Sequence, residues 1–178
     1  MQTKELVKST IKFLLTPLRW NYRSRNGAAS VARQRHEVPN DILLGMVREY
    51  ICKGHTVTIN VKGISMRPFI EEGRDKVVLG SFVHLNVGDA VLAEIEPGHY
   101  VLHRIVSIFG DKLVLMGDGN LCCTEQCSVN DVAGVIVSYI RPNRTIDATN
   151  KWFMLKIRVW KHLLPLRRYL LFIYRCML

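Results

Sequence analysis

Apolar and polar residues alternate through much of the middle of the chain. Residues 55–61 show the pattern clearly, because every second side chain is apolar: Val57, Ile59 and Val61. Such alternation is typical of a strand with one buried face. Further strands are predicted at 76–79, 90–95, 100–109, 112–116 and 132–139. Many short strands joined by close Gly-Asp and Pro-Gly turns predict a mainly β fold. The expected form is a coiled antiparallel sheet or partly open barrel with flanking amphipathic helices.

The period changes to that of a helix at both ends of this β region. Residues 3–20 are predicted to form a short amphipathic helix ending near Pro17, and residues 21–37 have the composition of a linker. Another helix is predicted at 40–52, where a capping sequence precedes it and Gly54 follows it. The chain therefore divides into a basic N-terminal helix and linker (1–37), a central domain (38–145) and a helical C-terminal segment (146–178).

The C-terminal segment carries two kinds of side chain at helical spacing. Apolar residues recur three or four positions apart at Trp152, Leu155, Val159, Leu163, Leu166 and Leu170. Basic residues occupy another face at Lys151, Arg158, Lys161, Arg168 and Arg175. Pro165 is predicted to kink or divide the helix. The apolar face can pack on the sheet, as most amphipathic helices do, or lie on an anionic membrane surface, and the sequence leaves both open.

Charge is distributed unevenly along the chain, whose net charge is +10. Residues 1–37 carry eight Lys/Arg and two acidic side chains, a net charge of +6. Residues 38–140 have a net charge of −4, and residues 141–178 one of +8. Two basic ends around a mildly acidic middle favour contact with a polyanion, either an anionic lipid surface or a nucleic acid.

The cysteine content and the lack of a recognisable targeting signal indicate the cellular compartment in which the protein is expected. The five cysteines (Cys52, Cys122, Cys123, Cys127 and Cys176) form no recognisable disulfide framework, which favours a reducing environment. No second ligand pair accompanies the cysteines at 122–127, so neither a metal nor a cofactor is predicted. Residues 11–15, apolar apart from Lys12, are too few for a signal peptide, and arginines interrupt the longest apolar stretch. We expect a cytoplasmic or membrane-peripheral protein without a transmembrane helix.

Three short segments carry residues suited to nucleophilic catalysis. Ser65 lies in Gly-Ile-Ser-Met-Arg-Pro, His103 in Val-Leu-His-Arg-Ile-Val, and Asp118 in Gly-Asp-Gly-Asn. A serine hydroxyl needs a neighbouring base, for which histidine is suited because free imidazole titrates near neutrality. A carboxylate behind the histidine fixes its tautomer. Each residue alone has a structural interpretation, as a turn serine, a sheet histidine or a turn aspartate, and only the combination favours catalysis.

The order of these segments resembles that of a known family. Together with Val-Gly-Asp-Ala-Val at 87–91, they resemble the boxes of type I signal peptidases. They also resemble the peptidase domain of LexA-type repressors, which shares that fold. The resemblance covers about residues 55–145 and implies a signal-peptidase-like catalytic domain at 38–145. Bacterial leader peptidases and LexA-type proteins use a lysine base. The His103-Arg104 pair is instead similar to endoplasmic-reticulum, archaeal and sporulation-type signal peptidases.

The resemblance implies a role for each candidate residue. Ser65 would be the nucleophile, His103 the general base and Asp118 the supporting carboxylate. Gly63 and Met66 would lie close to the oxyanion and the substrate, and glycine would allow the substrate carbonyl to approach the backbone.

The chain departs from the family pattern in two places. Gly73-Arg74-Asp75 is one residue longer than the usual Gly-Asp, and residues 121–125 replace the acidic cluster that often follows the last box. The pattern therefore leaves the supporting carboxylate open, and Asp131 is the alternative to Asp118.

The function favoured by these patterns is that of a serine endopeptidase. It would cleave leader, signal-like or precursor peptides by a Ser-His-Asp mechanism, with an anionic membrane surface as a possible further partner. A LexA-like self-cleaving regulator and a catalytically silent binding module with the same fold are the alternatives. Residues 1–37 are too short for a DNA-reading helix pair, which makes nucleic acid an unlikely partner.

Overall fold

The computed structural model describes residues 40–177. The predicted N-terminal helix at 3–20 and the linker at 21–37 lie outside these residues. The helices are α1 (Asn40–Cys52), α2 (Lys151–His162) and α3 (Arg167–Cys176). The strands are β1 (Val57–Asn60), β2 (Lys76–Gly80), β3 (Ala90–Glu96), β4 (His99–Phe109), β5 (Lys112–Met116), β6 (Glu125–Ser128), β7 (Val132–Arg141) and β8 (Arg144–Asp147).

These eight strands form one antiparallel sheet. Its order is β1-β2-β7-β3-β4-β5-β6, and β8 pairs with β7 outside this path. The two end strands of the path, β1 and β6, do not pair with each other, so the sheet does not close. The prediction of a mainly β, antiparallel architecture with a few helices is confirmed.

The sheet buries side chains on both of its faces, as β4 shows. Tyr100 and Leu102 belong to one hydrophobic cluster, whereas Val101 and Ile105 belong to a second. Successive side chains of a strand point to opposite faces. His103 therefore shares a face with Val101 and Ile105.

Helices α1 and α2 complete the first cluster. Ile51 of α1 and both Phe153 and Ile157 of α2 are buried in it with residues of the sheet. The Phe69 ring meets the Phe153 ring edge-on, with 5.6 Å between their centroids. Edge-to-face pairs of this kind add about 1 kcal/mol to the burial of the rings. The helices are thus part of the domain core and support the segment that carries Ser65.

Most predicted elements are present, and two short strands were not predicted. Helix α1 and strand β5 have the predicted bounds, and the other predicted strands differ by one or two residues at their ends. Strands β6 and β8 were missed, because four residues are too few to show a clear alternation. Pro165 lies in a turn of 3-10 helix, Leu164–Leu166, that separates α2 from α3, so the predicted division of the C-terminal helix is confirmed.

Candidate active site

Ser65 lies in the turn that follows β1. The neighbouring Met66 side chain is 2% exposed and belongs to the first cluster, and its carbonyl accepts hydrogen bonds from the Phe69 and Ile70 N–H groups. Met66 was expected near the substrate, but the structure places its side chain in the core. Its burial fixes the backbone of the turn, and Ser65 itself is 7% exposed.

The loop after β5 lies directly against this turn. The Gly119 N–H donates to the Ser65 carbonyl over 2.6 Å. A Cβ atom on Gly117 would lie 2.6 Å from the Ser65 carbonyl oxygen, and one on Gly119 would lie 2.7 Å from that of Ile64. Both distances are too short for a side chain, so glycine at these two positions allows the loop and the turn to meet.

His103 is buried on β4 at 1% exposure and has one carboxylate partner. Its Nδ1 lies 2.5 Å from Oε2 of Glu125. Its Nε2 is also buried, and within residues 40–177 no hydrogen-bond partner for it is present. A buried nitrogen without a partner is uncommon in folded proteins and calls for a functional or structural explanation.

Strand register brings Glu125 to His103. Ile105 of β4 pairs with Leu115 of β5, which in turn pairs with Glu125 of β6. Paired residues share a face of the sheet, and His103 lies two residues from Ile105 on that same face. Glu125 was not assigned a role from the sequence. Its distance from His103 along the chain and the shortness of β6 hide the relationship, and no pattern in the sequence indicates it.

Asp118 contacts Arg104 and not His103, so the predicted contact with the imidazole is corrected. The Asp118 carboxylate accepts hydrogen bonds from Arg104 Nε over 2.8 Å and from its terminal nitrogen over 2.6 Å. Both side chains are buried. Met116, the last residue of β5, pairs with Arg104, so the loop that carries Asp118 begins beside Arg104. Arg104 and His103 are adjacent in β4 and point to opposite faces, which separates Asp118 from the imidazole.

The buried ion pair keeps Arg104 charged. Burial by itself lowers the pKa of the guanidinium, but the charge of Asp118, with a contribution from Tyr139, raises the pKa above its ordinary value. Arg104 also donates to the Gly88 carbonyl over 2.7 Å and lies 5.6 Å from the centre of the Phe69 ring. The pair therefore anchors the loop 117–120 to the sheet, next to the strand position of His103.

Two further candidate residues, Asp131 and Gly63, have other hydrogen-bond partners in the structure. Asp131, the alternative carboxylate, accepts a hydrogen bond from the Ser128 N–H over 2.7 Å in a capping box at the end of β6. The Gly63 N–H donates to the Glu72 carboxylate over 3.0 Å, so it is already occupied and is not a free donor for an oxyanion. Gly63 has a φ angle of 95°, a conformation that favours glycine. The presence of glycine at position 63 is thus explained by the backbone conformation of the turn.

Loop 117–120 links Ser65 to strand β4 at Arg104, and within residues 40–177 no hydrogen bond joins Ser65 to His103. Ser65 contacts Gly119 through its backbone, and Asp118 of that loop binds Arg104, the neighbour of His103. The unpartnered Nε2 shows that the serine hydroxyl is not bonded to the imidazole here. Catalytic hydrogen bonds are often long in the absence of substrate and shorten when it binds. In the part of the chain that the structure describes, no group of three His, Cys, Asp or Glu side chains is placed to hold a metal ion.

Comparison of the chain with protein-family models, with curated proteins and with solved structures found no match. The family resemblance therefore rests on the ordered sequence segments. Within residues 40–177, no helix is both long and apolar enough to cross a membrane.

Proposed function

We propose that this protein is a serine endopeptidase of the signal-peptidase type, with Ser65 as nucleophile, His103 as general base and Glu125 as the carboxylate that orients His103. The proposal rests on the hydrogen bonding of the His103 imidazole. Its Nδ1 is held by Glu125, while its Nε2 is buried and has no partner among the described residues. A purely structural histidine buried in a sheet would be expected to use both nitrogens.

This arrangement suits proton transfer from a serine. When the Nδ1–H donates to Glu125, the lone pair of the ring lies on Nε2. Nε2 then accepts the Ser65 hydroxyl proton as Oγ attacks the peptide carbonyl carbon. The imidazolium that forms is stabilised by the Glu125 carboxylate, and it returns the proton to the leaving amine as the peptide bond breaks. Water, deprotonated by the same nitrogen, hydrolyses the acyl-serine in the second half of the reaction.

The oxyanion needs a donor that is not already engaged. The Gly63 N–H is occupied by Glu72, which leaves the N–H of Ser65 itself as the backbone candidate. Loop 117–120 keeps that backbone in place through the bond from Gly119. Removal of one oxyanion donor in serine peptidases costs a factor of about 10²–10³ in kcat, so the rigidity of this turn is part of the mechanism.

The substrate class follows from the resemblance of the sequence segments to signal peptidases. We propose leader, signal-like or precursor peptides cut in an extended segment. An extended peptide would add hydrogen bonds along a strand edge, as peptides do when they bind to sheets. The open sheet, whose end strands do not pair with each other, supports this mode of binding.

Covalent trapping tests the proposal directly. The full chain is incubated with a phosphonate or an acylating peptide, and the modified residue is mapped by mass spectrometry. We expect a single adduct on Ser65 that is absent in Ser65→Ala and forms much more slowly in His103→Gln. Ser81→Ala is the matched control, because Ser81 is exposed in the loop after β2. This variant should be labelled on Ser65 to the same extent as the parent. An adduct on another residue, or none at all, contradicts the assignment.

Measurements of cleavage and of peptide binding, combined with adduct mapping, separate the alternative functions. A LexA-like regulator would cleave its own chain at a rate independent of protein concentration. A silent binding module would retain peptide affinity and show neither an adduct nor cleavage. A peptidase is expected to cleave added peptide with multiple turnovers.

A further inference from the structure

Helix α2 has two apolar faces, and only one of them is used by the core. Phe153 and Ile157 are buried in the first cluster. The face predicted from the sequence is a different one. Trp152 is 76% exposed, and Leu155 and Val159 are about half exposed. Of the two arrangements left open by the sequence, packing of this face on the sheet is therefore not the one observed.

Helix α3 repeats this arrangement. Leu171 is buried, whereas Tyr169, Phe172 and Ile173 on the other side of the helix are exposed. Leu164 and Leu166, in the turn between the helices, are also exposed. The exposed apolar residues of 151–177 thus form a set that no described part of the chain covers. Apart from Met177, which follows α3, we call them the docking face: Trp152, Leu155, Val159, Leu164, Leu166, Tyr169, Phe172 and Ile173.

The docking face is accompanied by positive charge alone. Residues 151–177 contain no Asp or Glu, and their basic side chains are Lys151, Lys156, Arg158, Lys161, Arg167, Arg168 and Arg175. All of these except Arg167 are exposed. On α2, Lys151 and Lys156 lie on opposite sides of the exposed apolar residues by helical spacing. Exposed aromatic and aliphatic residues bordered by cations are typical of helices that lie in the headgroup region of a membrane.

We propose that α2 and α3 bind the surface of an anionic lipid bilayer through the docking face, with the surrounding Lys and Arg side chains on the lipid phosphates. A second copy of this chain is disfavoured as the occupant, because two such faces would bring only positive charges together. A nucleic acid would use the cations but leaves the exposed Leu, Phe and Ile side chains without a partner. An anionic bilayer can bind both the basic and the apolar side chains. Each Lys or Arg near an anionic surface contributes about 1 kcal/mol to the free energy of binding.

The helices that carry the docking face are hydrogen-bonded to the loop of the candidate active site. Trp160 Nε1 donates to the Asp118 carbonyl over 2.8 Å, and an Arg167 terminal nitrogen donates to the Asn120 carbonyl over 2.8 Å. A groove of about 430 Å³ lies between this loop and α3, lined by Gly119, Leu121 and docking-face residues such as Phe172. Membrane binding would therefore hold loop 117–120 close to the lipid surface. If the proposed peptidase activity is correct, substrates would be peptides that emerge from or lie on that membrane.

Lipid binding is tested on the full chain with sedimented vesicles. Vesicles of phosphatidylcholine with phosphatidylglycerol are compared with phosphatidylcholine alone, at low and high salt. We expect binding to the anionic vesicles that weakens as salt is raised. The variant Trp152→Ala/Phe172→Ala should lose about tenfold or more in partition, since each change removes a large apolar group from the interface. Phe109→Ala is the matched control, because Phe109 is 69% exposed but belongs to β4 and not to α2 or α3.

A charge-reversed variant tests the electrostatic part of the proposal. Lys156→Glu/Arg175→Glu should weaken binding to anionic vesicles by about tenfold or more, and Lys76→Glu/Lys112→Glu on exposed strand ends should have a smaller effect. In a Trp20→Phe background, the part of the fluorescence that a further Trp152→Phe change removes should shift to shorter wavelength with anionic vesicles, since Trp160 is common to both proteins. Binding by both variants at the strength of the parent overturns the proposal. A parent dimer in sedimentation that Trp152→Ala/Phe172→Ala makes monomeric also overturns it, in favour of self-association.

Discussion

The carboxylate of Glu125 on β6 lies 2.5 Å from Nδ1 of His103 on β4, across the intervening strand β5. Two strand pairings fix this relationship, so neither side chain depends on a loop for its position. The imidazole is buried, and the Glu125 side chain remains 32% exposed. A carboxylate in this position selects the tautomer with the proton on Nδ1 and leaves Nε2 free to accept one.

The serine and the histidine are expected to act as one unit. Ser65→Ala and His103→Gln should each abolish most cleavage of a peptide that the parent cuts. The double variant should be no slower than the poorer single variant, since losses in a catalytic unit do not add. Steady-state kinetics of the three proteins measure this, with circular dichroism as the control for folding. Additive losses would show that the two side chains act independently.

Glu125 and Asp118 should respond differently to neutral substitution. Glu125→Gln keeps the fold but no longer favours the required tautomer. The comparable change in a Ser-His-Asp triad costs a factor of about 10⁴ in kcat. Asp118→Asn instead leaves the Arg104 guanidinium buried with a weakened partner, and breaking a buried pair typically costs about 3–5 kcal/mol of stability.

Paired measurements of kcat and of the free energy of unfolding distinguish these two effects. Glu125→Gln should change mainly kcat, and Asp118→Asn mainly the denaturation midpoint. The reverse result, a folded but inactive Asp118→Asn with a fully active Glu125→Gln, would restore Asp118 as the supporting carboxylate.

Gly119→Ala should disturb the turn that carries Ser65. The new methyl group would lie 2.7 Å from the Ile64 carbonyl oxygen, so either the loop or the turn must move. We expect a decrease in kcat of at least about tenfold, because small displacements of a nucleophile slow reaction strongly. Gly45→Ala is the control, since a Cβ there meets no other atom within 4 Å and alanine favours the helix α1. Equal activity of Gly119→Ala and the parent would show that this contact does not position Ser65.

Cys127 should resist alkylation in the folded protein. Burial on β6, together with the negative charges of Asp131 and Glu125, raises the pKa of the Cys127 thiol to about 11. A shift of this size lowers the fraction of reactive thiolate near pH 8 about a hundredfold or more relative to a free thiol. Iodoacetamide labelling followed by mass spectrometry should modify exposed cysteines such as Cys176 before Cys127, and urea should remove the difference. Labelling of Cys127 in the folded protein as fast as Cys176 would contradict this environment.

The raised pKa of Cys127 also predicts how the stability of the fold changes with pH. The folded state keeps the Cys127 proton at pH values where the unfolded chain has lost it. The unfolded state therefore binds fewer protons, and the contribution of Cys127 to stability falls as pH rises from about 8.5 towards 11. Cys127→Ser should reduce this loss, which urea denaturation at pH 8 and pH 10 measures. An unchanged pH dependence in the variant would exclude Cys127 as its source.

The sequence by itself determined the features that depend on neighbours along the chain. Alternation located most strands, helical spacing located α1 and the C-terminal helices, and Pro165 marked the break between α2 and α3. These signals are local, because side-chain direction follows directly from the 2.0 and 3.6 periods of strand and helix. The segments around Ser65 and His103 were equally visible, since each is a short run of consecutive residues.

Only the tertiary structure decided which carboxylate meets His103. Counting back from the turn at Gly110 would pair Val106 with Leu115, but an irregularity in β4 pairs Ile105 with Leu115 instead. A shift of one residue exchanges the two faces of a strand, and this shift places Glu125 on the face of His103. It also pairs Met116, which precedes the loop of Asp118, with Arg104. The choice between the two apolar faces of α2 likewise depended on the sheet that one of them covers. Both outcomes depend on contacts between residues distant in sequence, which local periodicity does not encode.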